Sequence, residues 1–172
     1  MTEIRALRPD DDRSGFRSGD PEIDRFFLRF AGQNQFRHHL GVTYVAVEGA
    51  AIRGFVTISA AQVESAGLPA QHRRNLPGYP LPALRISRLG VAETSKGRGI
   101  GAALLRFTFG LAQETADRIG CVGLVVDAKP AAIAFYERLG FCPCGLVSGG
   151  LGDRPMPTPM FLGLGSIPRP LG

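Results

Sequence analysis

ISRLGVAETSKGRGIGAALL, residues 86–105, decides the fold. Its opening, 86–91, has β-branched residues at both ends and is bounded by the polar run 93–95, which suits a strand. Three glycines follow, Gly97, Gly99 and Gly101, interleaved with Lys96, Arg98 and Ile100. Beyond them Ile100, Ala103, Leu104, Phe107 and Leu111 recur at the spacing of one face of an amphipathic helix. The glycines therefore sit where a strand hands the chain to a helix N-terminus. That end carries about half a positive charge and N–H groups without intrahelical partners. Backbone without Cβ atoms can adopt positive φ and approach a ligand closely. The ligand that suits such an end is a phosphate or pyrophosphate. Judged by spacing alone, a purely structural turn is an equal alternative. Two known phosphate loops are excluded. Lys96 precedes the glycines where a P-loop needs its lysine after them. The Gly-x-Gly-x-Gly spacing also misses the dinucleotide fingerprint.

Working outward, residues 2–7 are expected as a first strand, ended by the polar run 9–18. Asp20, Pro21 and Glu22 read as a helix start: an N-cap acceptor, a proline at the first position and an acid in the first turn. Ile23, Phe26, Phe27 and Phe30 mark its apolar stripe, and the helix runs out near 35–39. Runs 42–48 and 51–59 form a hairpin over Gly49-Ala50. Residues 66–82, with four prolines, read as a loop carrying His72, Arg73 and Arg74. Run 121–127 suits a buried strand. Pro130 opens a helix on which Ala132, Tyr136 and Leu139 share a face, and Gly140 ends it. Runs 141–147 and 160–164 are expected as closing strands across a glycine- and proline-rich link. One domain over 1–165 with a tail at 166–172 is the expected organisation. This order predicts an α+β fold, a mixed central sheet with helices on both faces.

A chain of 172 residues with 44% hydrophobic content is long enough for a full core. The net charge of +5 favours anionic partners without separating a pyrophosphate from RNA. Cys121, Cys142 and Cys144 make neither a zinc pattern nor a disulfide framework, and read as reduced thiols of a cytoplasmic protein. The N-terminal residues have no signal-peptide form, and no apolar run reaches the roughly 20 residues of a membrane span. His38 and His39 lack further ligands, so no metal is expected.

The pattern Lys96, two residues, Gly99, Ile100, Gly101 resembles the acetyl-CoA pyrophosphate loop of the GNAT acetyltransferases, Arg/Gln-x-x-Gly-x-Gly/Ala. Lysine at the first position departs from that family. Arg88-Leu89-Gly90-Val91 looks like its central strand, and 134–141, AFYERLGF, like its signature helix and turn. Within the family the chain most resembles the bacterial GNAT toxins of toxin–antitoxin systems, which acetylate aminoacyl-tRNA. Their Phe-x-x-Gly segment is matched by Phe16-Arg17-Ser18-Gly19, their glycine–aromatic strand opening by Gly54-Phe55, and their basic, proline-rich approach by 73–82.

The resemblance implies the GNAT fold and acetyl-CoA as co-substrate. Leu89, Gly90 and Val91 then lie beside the pantetheine arm, and Lys96, Gly97, Arg98, Gly99, Ile100, Gly101 and Ala102 hold the pyrophosphate. A main-chain N–H near Val91 is implied as the donor to the thioester oxygen. Tyr136 is implied as the proton donor to the departing thiolate. A phenol, with a pKa near 10 against about 8.5 for a thiol, stays protonated at neutral pH. A core tyrosine is the alternative. No general base is evident; Glu64 and His72 are the open candidates, and an amine of low pKa needs none. Arg73, Arg74, Arg85 and Arg88 are candidates for tRNA phosphates, with Arg85 and Arg88 expected on opposite faces of their strand. The expected partners are aminoacyl-tRNA and a small DNA-binding antitoxin, and a homodimer is left open. Two other readings stay open: acetylation of a small amine or a protein N-terminus, and a non-catalytic module that binds nucleic acid or an antitoxin.

Overall fold

The computed structural model describes residues 1–145 and 157–167. In chain order they form β1 (Glu3–Ala6), α1 (Pro21–Arg25), α2 (Ala31–Phe36), β2 (Val42–Glu48), β3 (Ala51–Val63), α3 (Ala70–Arg73), β4 (Leu81–Val91), α4 (Ile100–Arg118), β5 (Gly123–Ala128), α5 (Ile133–Arg138), β6 (Cys142–Pro143) and β7 (Thr158–Gly163). The strands follow the order β1-β2-β3-β4-β5-β7-β6, the mixed α+β sheet expected from the sequence. The chain divides into two units, Met1–Ser59 with Ile86–Gly110 and Ala60–Arg85 with Leu111–Gly172. No helix among the described residues is long and apolar enough to cross a membrane.

In the first unit, the helix start at Asp20 is as the sequence predicts. Its carboxylate accepts the N–H groups of Glu22 (3.0 Å) and Ile23 (3.4 Å), and Pro21 occupies the first turn. A π-helical turn, Phe26–Phe30, then joins α1 to α2. That wider turn changes which aromatics are buried. Ile23, Phe27 and Ala31 face the core, while Phe26 and Phe30 are only half-buried. Phe27 stacks on Phe55 with centroids 4.2 Å apart, and Phe16 meets Phe27 edge-on at 4.8 Å. Leu7, Val45, Val47 and Ala92 complete this cluster. The hairpin β2–β3 has the expected ends at residues 48 and 51, with one irregularity. Ala46 pairs with Gly54 and Val47 with Ile52, so Arg53 is an extra, bulged residue.

Gly90 on β4 lies under this cluster. A Cβ there would fall 2.7 Å from Ile23 Cγ2 and 2.8 Å from Phe55 Cε1. Both neighbours are buried, so neither can swing aside. Gly90→Ala should therefore cost about 1–3 kcal/mol by overpacking, read as a lower denaturant midpoint at unchanged slope. An unaltered midpoint would contradict this packing.

Helix α4 begins at Ile100 as expected, but its buried residues are Ile100, Leu104, Leu105, Thr108, Phe109 and Ala112. Phe107, expected in the stripe, is half-buried against Tyr44 with centroids 4.7 Å apart. Thr108 is tolerated because its hydroxyl donates to the Leu104 carbonyl at 2.9 Å.

In the second unit, β3 runs on to Val63 through residues with little β preference. Burial decides here: Val63 packs with Leu68, Leu81, Ala83, Val125 and Phe161. Strand β4 likewise begins at Leu81, ahead of the expected residue 86. Pro82 fits because it stands exposed near the strand's start, and its carbonyl accepts Val122 N–H at 2.8 Å. The stretch read as a loop also holds α3. Strand β5 pairs antiparallel with β7 from Gly123–Gly163 to Ala128–Thr158, and β6 is a two-residue strand beside β7. Residues 146–147 of the expected closing strand, the link through 156 and the tail from 168 lie outside the described residues. Within the expected tail, Ile167 is buried and its carbonyl accepts from Gln113 at 3.3 Å.

Candidate active site

Strand β4 delivers the chain to the glycine turn through a tight 3₁₀ turn, Glu93–Ser95. Two bonds fix its entry. Ala92 N–H donates to the carbonyl of the bulged Arg53 (2.9 Å), and Glu93 N–H to the Arg17 carbonyl (2.8 Å). The Phe16–Gly19 segment thus does two things. Phe16 fills the core, and Arg17 holds the start of the turn.

Gly97 and Gly99 have φ of +79° and +80°, the left-handed region that favours glycine. A Cβ built on either meets nothing within 4 Å among the described residues, so neither position is crowded. Lys96, Gly97, Arg98 and Gly99 are exposed, Gly101 and Ala102 half-buried, and Ile100 is anchored in the core. The first intrahelical bond of α4 runs from Ala103 N–H to the Gly99 carbonyl at 3.0 Å. The N–H groups of Ile100, Gly101 and Ala102 precede it and are helix-end donors. An open turn, positive φ and a 19-residue helix behind it are the features that suit an anion. These residues fit a pyrophosphate.

Of the other predicted residues in this unit, Leu89 and Val91 are half-buried on β4 and Gly90 is buried. Arg88 is half-buried. Its guanidinium carbon lies 5.0 Å from the centre of the Phe26 ring, and Nη1 donates to the Ser87 carbonyl at 2.8 Å. Its buried Nε has no hydrogen-bond partner among the described residues. The same holds for the hydroxyl of fully buried Ser95.

The second unit carries Arg73, Arg74 and Tyr136. Tyr136 is 5% exposed on α5, edge-on to Phe135 and Phe141 with centroids 5.3 Å away in each case. Gly140, at φ +98°, ends that helix as predicted. Burial pushes the Tyr136 phenol well above its ordinary value, so it keeps its proton throughout the neutral range. Arg73 and Arg74 lie at the end of α3, both exposed. Arg73 turns back to donate to the Ala66 carbonyl at 3.3 Å. Arg85 is paired with Asp127 at 3.0 Å. Among the described residues, no group of three His, Cys, Asp or Glu side chains is placed to hold a metal.

Sequence reasoning passed over Glu48. Its Oε1 accepts from Arg98 Nη2 at 2.8 Å and from Thr2 Oγ1 at 2.9 Å. Arg53 Nε lies 3.3 Å from Oε2, an ion contact not aligned as a hydrogen bond. The hydrogen bonds from Thr2 and Arg98 hold the Glu48 carboxyl below its usual value. Fifty residues separate Glu48 from Arg98, and no local pattern signals such a pair.

Residues 39–143 match the family model described as the acetyltransferase (GNAT) domain. A tRNA-acetylating toxin of Mycobacterium tuberculosis is 34% identical over 140 residues, covering 80% of this chain and 82% of that protein. A probable TacT toxin of Sinorhizobium fredii is 29% identical, covering 94% and 90%. Among solved structures, AtaT complexed with acetyl-methionyl-tRNAfMet superposes with a TM-score of 0.83 at 23% identity, covering 97% of each chain, which shows the shared fold. With the family model spanning β2 to β6 and the toxin relative spanning four-fifths of the sequence, the chain belongs to the GNAT acetyltransferases.

Proposed function

We propose that this acetyltransferase modifies the α-amine of aminoacyl-tRNA and acts as a translation-blocking toxin. The observation that carries the reading is the 34% identity to a tRNA-acetylating toxin. Bound acetyl-CoA supplies the acetyl group as an activated thioester. In this reading the amides from Arg98 to Ala102 hold the pyrophosphate, with Lys96, Gly97 and Gly99 shaping the turn. Leu89, Gly90 and Val91 line the pantetheine arm, and the N–H near Val91 polarises the carbonyl oxygen, a contribution of about 3 kcal/mol for such a donor. Tyr136 keeps its phenolic proton and shares it with the thiolate as that leaves. Residues 1–165 work as one catalytic domain, in the cytoplasm, with a small DNA-binding antitoxin as the neutralising partner and a homodimer as the candidate assembly.

The pKa of the acceptor amine supports the same reading. Among the described residues no side chain is assigned as a base. An α-amine, near pKa 7.8, is partly neutral at physiological pH, whereas a lysine amine, near 10.4, is not. Esterification to tRNA withdraws electrons and lowers the amine's pKa further.

Arg88 and the basic end of α3 would meet tRNA phosphates. Arg73 already bonds the Ala66 carbonyl, so Arg74 is the freer arm of the pair. Arg74→Glu should weaken transfer to charged tRNA more than Arg73→Glu does, and the deficit should shrink at high salt as screening removes the attraction. Acetyl-CoA affinity should hold in both. A deficit that is indifferent to salt would remove Arg74 from the phosphate contacts.

The reading is tested in a cell-free translation system. Adding the protein with acetyl-CoA should arrest synthesis, and fresh charged tRNA added after the protein is removed should restart it. Continued synthesis would refute the toxin activity and leave an acetyltransferase of another amine.

A further inference from the structure

Glu48 is an acid placed against an anion cradle. By charge alone it opposes the binding of a polyanion. Its contacts suggest why it stands there. Arg98 lies between the two positive-φ glycines of the turn, and the Glu48 bond is the anchor of its side chain. Glu48 ends β2 and is itself held from a second side by Thr2. The bulged Arg53 brings its guanidinium to the same carboxylate, and its carbonyl takes the Ala92 N–H at the entry to the turn. One carboxylate thus joins the end of β2, the bulge on β3 and the middle of the glycine turn. A bulge of this kind re-aims a side chain, and bulges are common beside active sites.

We infer that Glu48 is a positioning residue for the glycine turn: through Arg98 it holds residues 97–99 in the cradle form before acetyl-CoA arrives. The inference rests on the acetyl-CoA reading of that turn. A turn with two flexible glycines must otherwise be ordered at the moment of binding, at a cost in affinity. The Arg98 charge-assisted bond, supported by Arg53 and Thr2, carries that ordering in advance.

Charge and position predict opposite signs, which makes the inference testable. If Glu48 acted only through its charge, Glu48→Ala and Glu48→Gln would both tighten CoA binding. As a positioning residue, Glu48→Ala should raise the KM for acetyl-CoA and the calorimetric Kd for CoA about fivefold, the scale of a networked surface ion pair. Its kcat and acceptor KM should hold. Glu48→Gln, which keeps an acceptor for Arg98, should fall between Ala and wild type. Arg98→Ala should show the same loss, and adding Glu48→Ala to it should bring no further loss.

A second reading needs no ligand. The ¹⁵N order parameters of Gly97, Arg98 and Gly99 should be near 0.85 in the free wild-type protein and fall towards about 0.6 in Glu48→Ala. Unchanged order parameters, or a tightened KM, would overturn the inference. A wild-type protein that binds no CoA would instead overturn the acetyl-CoA reading, and the ligand-free order parameters would still decide the role of Glu48.

Discussion

Replacing Gly99 with aspartate should abolish acetyl-CoA binding in a protein that still folds. A Cβ at Gly99 meets nothing within 4 Å, so the side chain has room. The φ of +80° is unfavourable for most residues, yet aspartate tolerates the left-handed region better than they do. What the substitution changes is the space over the turn. A carboxylate would occupy the place proposed for the pyrophosphate, with repulsion of about 4 kcal/mol between unit charges at contact near a protein surface. That is more than about a hundredfold in affinity. Isothermal titration against acetyl-CoA measures it, with circular dichroism as the check on folding. A folded variant with wild-type affinity would sink the assignment of the turn.

Tyr136→Phe should lower turnover about a hundredfold, the lower end of general acid catalysis. The ring stays where it is, so its edge contacts with Phe135 and Phe141 survive. Acetyl-CoA affinity and thermal midpoint should therefore change little. The pH profile adds a second expectation. Burial raises the phenol above its ordinary value, so its proton is lost only on the alkaline side of about 10. Any ionisation seen in wild-type kcat between pH 6 and about 9 belongs to the acceptor amine or another group. Turnover of Tyr136→Phe near wild type would make Tyr136 a core residue and no more.

What could be read from the sequence was local. The Asp20 cap with Pro21, the hairpin over Gly49-Ala50 and the strand–turn–helix around Gly97 are each written in adjacent residues. So is the end of α5 at Gly140. What escaped depends on neighbours distant in the chain. The extension of β3 to Val63 and the early start of β4 at Leu81 come from one shared buried cluster, against weak local preference. Phe26, where the π-helical turn begins, stays packed against the core cluster but only half-buried, with its ring under the Arg88 guanidinium. Glu48 was invisible for the same reason. Its meaning lies in Arg98, Arg53 and Thr2, which only folding brings to one carboxylate.

Labelled transfer decides which amine accepts the acetyl group. Radiolabelled acetyl-CoA is offered with a charged tRNA pool, and in parallel with free amino acids, polyamines and peptides. Label is expected on the α-amine of amino acids esterified to tRNA, and is lost when the ester is hydrolysed before the reaction. Label on a polyamine or a peptide, with none on charged tRNA, would contradict it.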